Sequence, residues 1–352
     1  MNEATMTTTA AVRDDDAERR EPVLSVRDLR VTFSRGGRTV HAVNGVSYDA
    51  YPGRMLAIIG ESGSGKSVGV RALMGLLPPS AFVEGSARIG GTQLVGLGEP
   101  AMRRVRGSEV AMVFQDPARS LNPTMTVGAQ VAEAVRAHGG VDKRAAAERA
   151  VELLRLVRLP AAERRFHEYP HQLSGGMRQR VMIAIGLAAS PKVLIADEAT
   201  TALDVTTQAQ IMELLLDLQD RLGTAVILIS HDLGLAASYA DEVLVMYAGR
   251  IVERADAAQL FRNVRMPYTH ALLGAVPQLA NPPHTPLAVI DGQPPDLSRP
   301  IVGCSFRPRC AFATAACAEA PPLEEHESAH WYACHHPVGL AGDPRTAEED
   351  AR

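Results

Sequence analysis

Gly60-Glu-Ser-Gly-Ser-Gly-Lys-Ser67 follows a short apolar run, Met55–Ile59, and leads into a helical pattern. Residues of these types at this spacing grip a polyphosphate. Gly60, Gly63 and Gly65, interleaved with Ser62 and Ser64, let backbone N–H groups turn inward around phosphate oxygens, and the helix that follows adds a positive N-terminus. Lys66 is set to reach the β- and γ-phosphates of ATP, and Ser67 to ligate Mg²⁺. Further along, Ile195-Ala-Asp-Glu198 ends another apolar run. There Asp197 would face the Mg²⁺ through water, and Glu198 could orient or deprotonate the attacking water. Phosphoryl transfer asks little more of a protein than positioning and charge neutralisation. The plainer readings, a Gly-rich turn and a solvated loop acid, are weaker because a strand and a helix flank the loop.

A second anion-gripping surface lies far along the chain. In Leu173-Ser-Gly-Gly-Met177 the side chain of Ser174 and the N–H groups of Gly175 and Gly176 open a helix. Two such surfaces so widely separated predict a composite site completed by dimerisation.

All four cysteines fall near the end: Cys304, Cys310, Cys317 and Cys334, with five, six and sixteen residues between them. Clustered cysteines in a cytosolic chain suggest metal ligands. Zinc knuckles pair cysteines at two to four residues, which disfavours zinc, although His330 or His335 could complete such a site. An iron–sulfur cube tolerates irregular spacing. Unmetallated thiols are the third reading. Arg307 and Arg309, between the first two cysteines, could offset a cluster's negative charge but are read as surface residues.

The elements that must position these groups follow the hydrophobic pattern. Val23–Phe33 and Val40–Tyr48 alternate as an antiparallel strand pair around Arg35-Gly-Gly-Arg38. Short apolar strands are expected at 55–59, 110–114, 193–196, 225–229 and 242–246, with helices at 66–76, 177–189 and 208–222. Their alternation argues for an α/β fold with a largely parallel sheet. The block from Val127 to Arg158 is helical throughout, broken at Gly139-Gly140. After about Ala255, two short helices (257–261 and 268–273) precede a proline-rich, irregular stretch that runs to the cysteines.

At 352 residues with 46% apolar content, the chain can bury one large domain plus an appendage. A net charge near −4 implies no nucleic-acid partner. No apolar run approaches the ~20 residues that span a bilayer. The first 21 residues read as a disordered extension without a secretory signal, so the chain is expected in the cytosol unless a membrane partner holds it.

Taken together, Leu173-Ser-Gly-Gly-Met-Arg-Gln-Arg180, the phosphate loop, Gln115, Asp197-Glu198, Ala202-Leu-Asp204 and His231 resemble the ATP-binding cassette (ABC) ATPases. That resemblance implies a P-loop core with an antiparallel β subdomain, a helical subdomain and a Cys-rich C-terminal appendage. It implies that Ser174, Gly175 and Gly176 close over the γ-phosphate held by the opposite subunit. His231 would contact the γ-phosphate, Gln115 would sense Mg²⁺ and water, Asp204 would act across the dimer interface, and Phe33 would stack on adenine. Relatives often have Pro after the catalytic Glu, where this chain has Ala199; the difference touches backbone rather than chemistry.

The resemblance extends to ATPases of oligopeptide and dipeptide importers, whose wording is close to Phe114-Gln-Asp-Pro117, Ser120-Leu-Asn-Pro123, Tyr169-Pro-His-Gln-Leu-Ser174, Pro267-Tyr-Thr-His270, Gly292-Gln-Pro-Pro295 and the cysteine segment. Met266 departs from the His common before Pro-Tyr. By this resemblance the divisions are a nucleotide-binding domain at 22–255 with its helical subdomain at about 120–175, an appendage at 256–340 and a loose tail at 341–352. The implied partners are a second ABC ATPase subunit in a heterodimer, two transmembrane permease subunits and an extracytoplasmic substrate-binding protein. The subunit would sit peripherally on the cytoplasmic face of the inner membrane. A [4Fe–4S] cluster at the cysteines is associated with such importers. Nickel importers share much of the wording. A soluble repair or translation ATPase would bring coiled coils or two cassettes, and a metal-binding ATP sensor would not need Glu198 and His231.

Overall fold

The computed structural model describes residues 21–200, 203–276, 289–327 and 329–339. The expected extension up to residue 20, the expected tail at 341–352, Ala202 and the prolines at 277–286 lie outside them. In chain order the strands are β1 (Leu24–Arg35), β2 (Arg38–Ala50), β3 (Met55–Ile59), β4 (Ala81–Ile89), β5 (Thr92–Gln93) and β6 (Val110–Val113). They continue as β7 (Val193–Asp197), β8 (Ala225–Ser230), β9 (Glu242–Tyr247), β10 (Arg250–Asp256), β11 (Glu324–Glu327) and β12 (His330–Tyr332). The helices are α1 (Lys66–Leu73), α2 (Glu99–Val105), α3 (Pro117–Ser120), α4 (Val127–Gly139), α5 (Lys143–Leu156) and α6 (Ala162–Arg165). After these come α7 (Gly175–Gly186), α8 (Val205–Leu222), α9 (Leu233–Tyr239), α10 (Ala257–Arg262) and α11 (Pro267–Gly274).

Two sheets result. The first runs β2-β1-β4-β5 and is antiparallel; the second runs β11-β12-β10-β9-β3-β8-β7-β6. From β9 to β6 the second sheet is parallel. Every residue of β3, β6, β7 and β8 is buried. A strand covered on both faces needs apolar side chains at consecutive positions, which is why these four read as apolar runs, with only Asp197 and Ser230 polar at the ends of β7 and β8.

The region 81–105 carries β4, β5 and α2, which the sequence reading passed over. β4 pairs with β1 across a register shift at Asp28, whose φ is 46°, and Gly85 lies against that bulge. A Cβ at Gly85 would stand 2.3 Å from the Asp28 carbonyl oxygen. A glycine required by a bulge interrupts the alternation that marks a strand.

The helical block is as expected. Thr126 caps α4, Asp142 caps α5, and Gly140 in the left-handed region ends α4. Val127, Val131 and Val135 of α4 pack with Ala146, Ala150, Leu153 and Leu154 of α5, a spacing of three and four that keeps one face inward.

The C-terminal region is more integrated than an appendage. β12 pairs with β10 through Glu253↔Tyr332 and Arg254↔Trp331, so β11 and β12 extend the main sheet. Tyr247 of β9, Tyr268 of α11 and Phe306 form a ring cluster with centroids 4.5 to 5.4 Å apart.

Candidate active site

The loop from Gly60 to Gly65 joins β3 to α1, with Ser62 and Gly63 exposed and Ser64 buried. Gly60 has φ +145°, and a Cβ there would lie 2.2 Å from the Met246 carbonyl oxygen; Gly65, at φ +100°, would meet the Ala42 carbonyl oxygen at 2.4 Å. These two glycines allow the loop to fold tightly against β9 and β2. Lys66 Nζ donates to Gly60 O (2.6 Å), Glu61 O (2.9 Å) and Ser64 Oγ (3.4 Å). Burial lowers its ammonium pKa, although Glu198, Asp197 and Glu61 act in the opposite sense.

The parallel register brings the ends of β3, β6, β7 and β8 to one edge, the usual place for ligands in such sheets. There Ser67 Oγ donates to Asp197 Oδ1 at 2.6 Å. Gln115, just beyond β6, donates through Nε2 to Glu198 Oε2 at 2.6 Å. His231, following β8, holds Nδ1 4.0 Å from Glu198 Oε1. Glu198 itself has φ 50°, the left-handed region, where a non-glycine residue is strained. Five residues from four separate segments thus converge beside the phosphate loop.

Arg71 was not foreseen. Its guanidinium donates to Asp197 Oδ2 at 3.0 Å, the Asp197 carboxyl being almost fully buried. A signal existed, because Arg71 lies four residues after Ser67 and so shares its helix face.

The second anion-binding surface belongs to another neighbourhood. Ser174 caps α7 by accepting from the Met177 N–H, and Gly175 and Gly176 form its first turn. α7 packs on α3, α4, α5, α8 and β6, whereas α1 packs on β1 and β2. Asp204 caps α8, accepting from the Thr207 N–H (3.0 Å) and hydroxyl (2.7 Å). Those bonds, the backbone one first, hold its carboxyl below the usual range. Phe33 on β1 is half-buried against the core. Ala199 is buried in a separate core cluster, the one that holds α4, α5 and α7.

Cys304, Cys310, Cys317 and Cys334 line one recess together with Met266 and His336, and no disulfide joins them. Burial, then the other three thiols, raises the Cys334 pKa, pushing it up to about 12 against a hydrogen bond from the His336 N–H. Among the described residues no group of three or more His, Cys, Asp or Glu is arranged to hold a metal ion. The two histidines considered for zinc are engaged elsewhere. His330 is buried against Glu253 at 2.9 Å, and His335 Nε2 lies 3.2 Å from the Glu319 carbonyl oxygen. The reading of Arg309 as a surface residue also fails. Its side chain is 5% exposed and binds both carboxylate oxygens of Glu61 in the phosphate loop, at 2.7 and 3.0 Å. Nothing local in the sequence pairs residues so far apart.

The ABC transporter family matches residues 43–201, and the oligopeptide/dipeptide transporter C-terminal region matches residues 252–317. The chain is 50% identical over 315 residues to a probable peptide ABC transporter ATP-binding protein of Sinorhizobium fredii, covering 89% of this chain and 94% of that one. It is 48% identical over 318 residues to the oligopeptide transport ATP-binding protein OppD of Escherichia coli, covering 90% and 94% respectively. Among solved structures it is similar to a dimeric ATP-binding cassette in a post-hydrolysis state bound to ADP and Pi. There the identity is 28%, the TM-score 0.59, and the coverage 66% of this chain and 98% of that one.

Proposed function

The chain belongs to the ABC transporter ATPases that carry the oligopeptide/dipeptide transporter C-terminal region, and from that membership we propose that it is the ATP-hydrolysing motor subunit of an oligopeptide or dipeptide importer. The observation that carries the reading is the meeting of Ser67, Gln115, Asp197, Glu198 and His231 beside the phosphate loop. Lys66 leaves the loop carbonyls to bind the β- and γ-phosphates. Ser67 Oγ would hold Mg²⁺, with Asp197 behind it, and the ion would neutralise phosphate charge. Glu198 takes a proton from water as the water oxygen bonds the γ-phosphorus. The bond to the β–γ bridging oxygen breaks, and ADP departs with that electron pair. Gln115 and His231 hold the Glu198 carboxylate and the γ-phosphate in line.

Ser174, Gly175 and Gly176 act in trans on a second ATPase subunit, with Asp204 at the interface. The dimeric cassette to which this fold is similar supports that arrangement. The helical block after Gln115 carries the contact with two permease subunits, a substrate-binding protein delivers peptide on the far side, and Phe33 stacks on adenine. Among the described residues no helix is long and apolar enough to cross a membrane, which suits a subunit held peripherally on the cytoplasmic face by its permeases.

The four thiols suit an iron–sulfur cluster better than zinc. A single ion draws its ligands to about 2.3 Å from one point, whereas a cube is ligated at separate corners around a larger volume. Cys304, Cys310, Cys317 and Cys334 would hold a [4Fe–4S] cluster whose role is to fold this segment. Anaerobic purification is expected to give about four irons with matching sulfide, lost when all four cysteines become Ser. Stoichiometric zinc would overturn the cluster. For the motor itself, Glu198→Gln in the assembled transporter should keep ATP binding and lower turnover by about 10²-fold or more. Wild-type turnover in that variant would remove Glu198 from the role of base.

A further inference from the structure

The acidic residue in the phosphate loop is an electrostatic problem with a visible solution. Glu61 follows Gly60, its carbonyl accepts from Lys66 Nζ at 2.9 Å, and its carboxylate adds negative charge where a triphosphate must bind. Arg309, 248 residues later, covers that carboxylate with both guanidinium NH₂ groups, Nη1 to Oε2 at 2.7 Å and Nη2 to Oε1 at 3.0 Å. The Arg309 side chain is 5% exposed and is fixed on its other sides by Asp291 O (2.9 Å), Ile290 O (3.2 Å) and the Tyr247 hydroxyl (3.4 Å). A second grip comes from α11, where the buried Tyr268 hydroxyl accepts from the Glu61 N–H at 2.9 Å. Both the side chain and the backbone of this loop residue are therefore held by the C-terminal region.

We propose that Arg309 is a positioning residue for ATP: its bidentate pair with Glu61 neutralises the loop's carboxylate and fixes the loop in the shape that receives the phosphates. The C-terminal region then forms part of the nucleotide site. Arg309 closes the short turn Arg307–Arg309, its N–H bonded to Phe306 O at 2.9 Å, so loss of that turn would withdraw the guanidinium. This inference rests on the ATPase reading above. Lysine cannot replace the fork, because one ammonium does not span two carboxylate oxygens while also reaching two carbonyls.

The test is steady-state ATP hydrolysis by the assembled transporter, comparing wild type, Arg309→Ala, Arg309→Lys, Glu61→Gln and Glu61→Gln/Arg309→Ala. Arg309→Ala should raise KM for ATP about tenfold or more, by leaving a carboxylate unpaired beside the phosphates, with kcat at saturating ATP changed far less. Arg309→Lys should fall between. Glu61→Gln, which keeps one acceptor for the guanidinium but loses the ionic grip on the loop, should raise KM less than Arg309→Ala does, and adding it to Arg309→Ala should lower the KM of that variant, which a purely structural role for Arg309 would not allow. Should Arg309→Ala fail to fold, Glu61→Gln in the Arg309→Lys background carries the same rescue. An unchanged KM in the Arg309 variants, or no recovery on removing the Glu61 charge, overturns the proposal. The ATPase reading stands or falls on wild-type turnover, so the two failures are distinguishable.

Discussion

Glu198 occupies a strained left-handed backbone position, accepts from Gln115, and shares its neighbourhood with His231. Strain is tolerated where surrounding bonds over-determine it, and here the Glu198 N–H is tied to Ile229 O at 3.1 Å. Away from the site, His330 and Glu253 form a fully buried pair, and Glu253 Oε1 also accepts from the Arg265 N–H at 2.7 Å. Removing one partner of such a pair leaves the other desolvated. His330→Ala is expected to destabilise the fold by about 3 kcal/mol, read as a lower denaturation midpoint, with partial recovery on adding Glu253→Gln. At the cysteines, the folded pKa of Cys334, about 12, lies above the unfolded value. The neutral thiol therefore contributes stability that is complete below about pH 8.5 and is lost as pH rises toward the folded value.

Helix packing sets a second group of constraints. Gly176, in the first turn of α7, faces Thr207 of α8 so closely that a Cβ would stand 2.5 Å from Thr207 Cγ2. Thr207 cannot rotate away freely, because its hydroxyl is bonded to Asp204 at 2.7 Å. Gly176→Ala should thus cost about 1–3 kcal/mol of stability. Thr207→Ser, which removes Cγ2 and keeps the hydroxyl, should restore most of it in thermal denaturation. Failure of that rescue would mean the glycine serves something other than α7–α8 spacing. Gly175 and Gly176 also place no side chain of their own over the N-terminus of α7, as anion binding across an interface requires.

For the whole molecule, the phosphate loop and the α7 N-terminus sit in different neighbourhoods of one chain, so completion in trans is the arrangement under test. With ATP and Mg²⁺, the Glu198→Gln subunit, mixed with its partner cassette if the two differ, is expected to sediment as a dimer of cassettes. Ser174→Arg should abolish that association, and a persistent monomer in the first case would sink the trans reading. Much was legible beforehand. The phosphate loop, the buried strands at 55–59 and 193–196 and the helical block from Val127 to Arg158 each depend on residues within one strand or a few helical turns. What the sequence determined by itself was therefore this local geometry and, through ordered motifs, the class of chemistry. Only the tertiary structure decided which distant residues meet. Ser67 and Asp197 are 130 positions apart, Gln115 and Glu198 are 83 apart, and Arg309 reaches Glu61 across 248. The first two meetings follow from a parallel sheet aligning its strand ends. The third depends on how the proline-rich C-terminal region packs Phe306 on Tyr247 and Tyr268, and ring packing of that kind leaves no periodicity to read.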